Sequence, residues 1–124
     1  MKTQIVDPSY PNCPVRNVIG RIGNKWSLLV LLTLNSSADP LRYKELEQRI
    51  PDISQRMLSV TLRDLEADGL VARRAYAEIP PRVEYALTTR AITLLPHLMA
   101  LVGWAVDNIA GILADRQAYA QRAK

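Results

Sequence analysis

Gln55, Arg56, Ser59, Val60 and Arg63 are the side chains in this sequence best suited to acting on another molecule. Arg and Gln offer bidentate contacts to guanine and adenine edges, and a Val can meet a thymine methyl group. Helical spacing brings them together. With Met57, Leu58, Thr61, Leu62 and Leu65 as the inward stripe of a helix from Gln55 to Asp68, these five residues point outward. Asp64 and Glu66 come later, toward the C-terminal end. Cations thus gather at the positive end of the helix dipole, as a phosphate-facing surface requires. The competing reading is a solvated helix face, where charge is ordinary.

The elements that would position this face are legible around it. Ser54 is a good N-cap for the helix, and Gly69 a good residue to end it. Upstream, PVRNVIGRIG (14–23) repeats Val15, Val18, Ile19 and Ile22 at helical spacing, and Gly23 and Asn24 break the pattern. KWSLLVLLTL (25–34) is apolar nearly all round and predicts a buried central helix. NSSADP (35–40) reads as a loop, and residues 42–50 as a third helix with Tyr43, Leu46 and Ile50 on one stripe. Residues 51–54 form the turn before the Gln55 helix.

Downstream the period changes. LVARRAY (70–76) and RVEYALT (82–88) predict a hairpin, with Pro80 and Pro81 in its loop and Arg73, Arg74 and Arg82 as its cations. Glu84 is a structural partner for an Arg. Residues 88–113 predict a long helix capped by Thr88 or Thr89, which Pro96 kinks or divides. Residues 1–12 read as a poorly ordered arm, and 114–124 as a helical tail beyond a domain spanning 13–113. The expected fold is mostly α with a small β-hairpin: a winged helix-turn-helix domain with N- and C-terminal helices.

The segments CPVRNVIGRIGNKWSLLVLLTL, LRYKELEQRIPDISQRMLSVTLRDLEADGLVARRAY and PPRVEYALT resemble the HxlR family of winged-helix bacterial transcriptional regulators. The most specific matches are Cys13-Pro14, Lys25-Trp26, Arg42-Tyr43, Leu62 through Leu70, and Pro81 through Tyr85 with Leu87-Thr88. Two departures, Asn24 and Ala91 where the family usually has Gly, touch only helix-start geometry. The resemblance implies a homodimer that binds double-stranded DNA and pairs through its N- and C-terminal helices. The DNA-contacting set is then Arg42, Tyr43, Ser54, Gln55, Arg56, Ser59, Val60, Arg63, Arg73, Arg74 and Arg82. Val15, Val18, Leu98, Leu101 and Trp104 are the expected dimer contacts. The long apolar helix supports this separately, because it has more apolar surface than one face of a small domain uses. The resemblance also marks Cys13 as a candidate redox switch, since some members carry a sensing Cys before a Pro there. Arg16 and the start of the first helix would favour its thiolate. The competing reading is a buried small hydrophobe.

Composition sets the remaining bounds. The formal charge of +4 and pI of about 9.5 permit a polyanionic partner. That charge is spread evenly along the chain, so only its arrangement can make a binding surface. One Cys excludes an intrachain disulfide and any multi-Cys zinc framework. No apolar run approaches the roughly 20 residues of a membrane span, and the N-terminus lacks a signal-peptide core. A soluble cytoplasmic protein without membrane contact is expected. His97 has no second ligand nearby, so no metal site, cofactor or catalytic constellation is expected, and an enzyme is the weaker class. An oxidant or small-molecule signal remains open. The alternative function is a winged-helix protein–protein module without DNA binding.

Overall fold

Of the 124 residues, the computed structural model describes 13–123; the arm expected over 1–12 lies outside the described residues. Val15–Ile19 form a π-helical stretch that passes into an α-helical turn, Gly20–Ile22, together α1. Asn24 then starts α2, Lys25–Asn35, by accepting the Ser27 N–H at 2.9 Å. Asn at this position is thus a working N-cap. α2 buries Ser27, Val30, Leu31 and Leu34, while Leu28, Leu29, Leu32 and Thr33 are half-buried, as its all-round apolar pattern predicts.

The helix pair follows. α3 is Tyr43–Arg49 and α4 is Gln55–Ala67, with the turn at 50–54 between them. Ser54 caps α4 by accepting the Met57 N–H at 3.0 Å. Leu58, Thr61, Leu62 and Leu65 form its buried stripe. Met57 is a correction: it is 38% exposed. One helical step, about 100°, separates it from Leu58 and carries it off the edge of the stripe.

α4 ends by a geometry that only glycine adopts without strain. Gly69 has φ +74, its N–H reaches the Glu66 carbonyl at 3.0 Å, and the Leu70 N–H reaches the Leu65 carbonyl at 2.9 Å. This is a Schellman closure, with Leu65 and Leu70 both buried beneath it. A Cβ on Gly69 would lie 2.5 Å from Arg90 Nη1, which donates to the Asp68 carbonyl at 2.9 Å. Gly69→Ala therefore combines a left-handed backbone cost with a displaced Arg. We expect a loss of about 1–3 kcal/mol in urea unfolding.

The sheet has three strands rather than two: β1 (Leu41–Arg42), β2 (Val71–Tyr76) and β3 (Arg82–Leu87), all antiparallel in the order β1-β3-β2. Two residues carry no readable period, so β1 left no trace in the sequence. Register assigns the faces, because cross-strand partners share one and neighbours alternate. Leu41, Tyr85 and Arg73 lie in one row, with Val71 and Leu87 on the same face. Buried Leu41 and Val71 mark that face as inner. Arg42, Glu84 and Arg74 form a row on the outer face, with Tyr76 paired to Arg82 beside it.

α5 runs from Thr89 to Arg122 without interruption at Pro96, so the residues read as a tail continue the same helix. Thr88 is its cap: its Oγ1 accepts the Ala91 N–H at 3.2 Å and donates to the Gly69 carbonyl at 2.6 Å. Ala91, where a Gly was usual, is buried. The chain divides into two compact units, one through Ile92 and one from Thr93. By length and composition α5 is long and apolar enough to cross a membrane. The count of unbroken apolar residues missed this, since His97, Gly103, Asp107 and Asn108 interrupt the run without lowering its average enough.

Candidate nucleic-acid interface

Gln55, Arg56, Ser59 and Arg63 are exposed on α4, and Val60 is half-buried beside them. Ser54 Oγ is engaged as the helix cap, which leaves its hydroxyl proton for an outside acceptor. Gln55 and Arg56 occupy the first turn, where the helix dipole adds to their attraction for a phosphate. Among the described residues, α4 thus carries the polar, cationic face that its sequence predicts.

Tyr43 has a second role that its sequence position did not announce. Its hydroxyl donates to the Gln55 carbonyl at 2.8 Å and lies 3.1 Å from Ser59 Oγ. It therefore ties α3 to the first turns of α4 and orients Ser59. A shallow depression of about 320 Å³ lies next to this tie, lined by Tyr43, Ser59, Leu62, Arg63, Glu66 and Arg73. Arg63 from the helix and Arg73 from the inner face of the hairpin border the same groove.

The other hairpin cations are differently placed. Arg42 is exposed on the outer face, and its backbone N–H donates to Glu45 Oε1 at 3.0 Å. Arg74 is exposed; hydrogen bonding to the Tyr76 hydroxyl raises its pKa further above the ordinary Arg value. Arg82 is half-buried, with its guanidinium 4.0 Å from the Tyr76 ring centroid. Its Nε lies 3.2 Å from Glu78 and 3.4 Å from Glu84, yet is aligned for a hydrogen bond with neither. Tyr76 in turn donates to Glu84 at 3.3 Å. Arg82 and Glu84 therefore hold the hairpin together, in keeping with Glu84 as an Arg partner.

The acids of α4 are answered by a residue that the sequence reading did not single out. Arg21 Nε donates to Asp68 Oδ2 at 2.7 Å, and its Nη2 lies 3.9 Å from Asp64 Oδ1. That hydrogen bond, and then the Asp68 charge, raise the Arg21 pKa. A cation at the negative end of the helix is favourable, and these carboxylates lie two turns or more from Arg56. No local signal could have found a pair 47 residues apart.

The remaining candidates lie away from this face. Cys13 is buried, at 1% exposure, and is not in a disulfide. Val15 and Val18 are exposed on α1, at 53% and 55%. In the second unit, Leu98 is buried in the single chain, whereas Leu101 and Trp104 are exposed. Among the described residues no cluster of His, Cys, Asp and Glu suits a metal ion.

Known proteins resemble this chain in sequence and in fold. Residues 21–112 match the family described as HxlR-like helix-turn-helix. An HTH-type transcriptional regulator of Methanothermobacter thermautotrophicus is 49% identical over 92 residues, covering 74% of this chain and 69% of that protein. One from Halalkalibacterium halodurans is 44% identical, covering 77% of this chain and 83% of the other. Among solved structures, the oxidised redox regulator HypR superposes with a TM-score of 0.70 at 38% identity, covering 77% of this chain and 97% of its own. Diamide-treated YodB from B. subtilis gives a TM-score of 0.66 at 32% identity, covering 77% and 93%.

Proposed function

The chain belongs to the HxlR-like helix-turn-helix family of transcriptional regulators, and we propose that it acts as a cytoplasmic homodimer that reads a partly palindromic operator and is switched by an oxidant, an electrophile or a small effector. Its relatives are regulators rather than enzymes. The observation that carries the reading is the exposed row Gln55, Arg56, Ser59 and Arg63, continued by Arg73 across one groove. α4 enters the major groove with its N-terminal turns toward base edges, and the hairpin reaches the flanking backbone. Arg42, Arg74 and Ser54 serve phosphates, while Tyr43 acts chiefly by holding α4. Arg82 contributes through the hairpin it braces.

The pairing surfaces are α1, through Val15 and Val18, and α5, through Leu101 and Trp104. A second α5 suits this stripe better than lipid does, because Asp107, at its flank, stays in water beside a helix pair but not in a bilayer. A protein–protein module is disfavoured by α4 itself, whose exposed face offers no apolar anchor beyond the edge residue Met57.

Cys13 is the proposed redox switch, supported by similarity to HypR, whose oxidised and reduced forms are both known. With one Cys per chain, oxidation joins Cys13 to the partner's thiol or to a small thiol; two electrons and two protons pass to the oxidant as the S–S bond forms. Because Cys13 is buried, its thiol must become accessible before it reacts. The test is selection of duplexes from a random pool, followed by binding with and without diamide. We expect the parent to select a partly palindromic duplex and to lose about tenfold in affinity on oxidation, with Cys13→Ser unaffected. Failure to select any sequence supports the protein–protein module. An equal response in Cys13→Ser removes the thiol switch.

A further inference from the structure

The C-terminal end of α4 is held from two sides, and both holders belong to elements proposed to pair two copies. From α1, Arg21 forks over Asp68 at 2.7 Å and Asp64 at 3.9 Å, two carboxylates one helical turn apart. From the first turn of α5, Arg90 Nη1 donates to the Asp68 carbonyl at 2.9 Å. Thr88 donates to the adjacent Gly69 carbonyl at 2.6 Å. The Arg21 side chain is 45% exposed, so the pair contributes little to stability. Its geometry does something else. The short charge-assisted bond links the last turn of α4 to α1, whose Val15, Val18 and Ile19 are exposed.

We infer that Arg21 is a positioning residue for operator spacing: through Asp68 and Asp64 it carries α4 with α1, and so sets the separation of the two recognition helices in the dimer. The inference rests on the dimeric DNA-binding reading above. Two half-sites must lie one helical turn apart or a multiple of it, so a helix free to shift by an ångström or two loses register on the full operator. One half-site alone tolerates the same shift. A displacement of α1 likewise reaches α4 through this contact.

The experiment uses the duplex selected by the parent protein and a half-site cut from it. Arg21→Glu and Asp68→Arg are measured singly and together, with a thermal melt for each. Each single variant should lower the ratio of full-site to half-site affinity by about five- to thirtyfold. The combined swap should restore that ratio to within about threefold, as only a direct pair can. Arg21→Glu and Asp68→Arg change the net charge in opposite directions and the combined swap leaves it unchanged, so a fall in the ratio for both single variants is not an effect of charge. Should a single variant fail to fold, Arg21→Gln reads the same ratio without introducing a like charge. Single variants within about twofold of the parent, or a swap as poor as the singles, overturn the inference. A parent that selects no duplex overturns the DNA reading and this inference with it.

Discussion

Arg63→Ala is expected to weaken binding to the selected duplex by about 1–3 kcal/mol, roughly 5- to 150-fold, and Arg56→Ala by a similar amount. Both residues are exposed on α4, and no ion pair to either is found among the described residues. The loss is therefore a lost DNA contact rather than a broken internal one. Base and phosphate contacts separate on the sequence dependence. A lost base contact relaxes preference at one position of the duplex. A lost phosphate contact weakens all sequences alike and lowers the salt slope by about one. Arg63 borders the groove shared with Arg73, whereas Arg56 stands at the positive end of the helix. We accordingly expect Arg63 to carry more of the sequence preference and Arg56 more of the salt dependence. Fluorescence anisotropy at several salt concentrations distinguishes them, and full affinity in both variants would remove α4 as the reader.

The parts of this site that were legible in the sequence are those with local causes. Ser54 caps the helix that begins one residue later, Gly69 takes the positive φ that ends it, and Thr88 caps α5. The buried stripe of α4 followed from the 3.6-residue period, except at its edge, where Met57 lies outside the wall. What escaped depends on register and on distant pairs. Adjacent Arg73 and Arg74 must face opposite ways in a strand, but which one faces α4 is decided only by the pairing of Arg73 with Tyr85 and of Arg74 with Glu84. The stacking of Arg82 on Tyr76 likewise needs their cross-strand register. Arg21 and Asp68, or Tyr43 and Ser59, meet through tertiary packing that leaves no periodic trace.

The largest effect is expected from charging the exposed stripe of α5. Leu101 and Trp104 are 53% and 58% exposed, three residues apart and so on one face of the helix. A monomeric protein gains nothing from holding such a surface in water, whereas a second copy removes it from solvent, at about 25 cal/mol per Å² buried. Leu101→Glu with Trp104→Glu would bring four carboxylates into the paired interface, two from each chain. There they are desolvated and mutually repelling. Sedimentation should then read a monomer where the parent reads a dimer. Since a dimer engages two half-sites at once, affinity for the full operator should fall by about 10²- to 10⁴-fold, while half-site affinity stays near the parental value. The substituted side chains are exposed in the single chain, so the first unit should melt as in the parent. A charged variant that remained dimeric would move the pairing surface off α5. A monomer with undiminished full-site affinity would instead show that each chain reads DNA alone, and the spacing role of Arg21 would lose its basis.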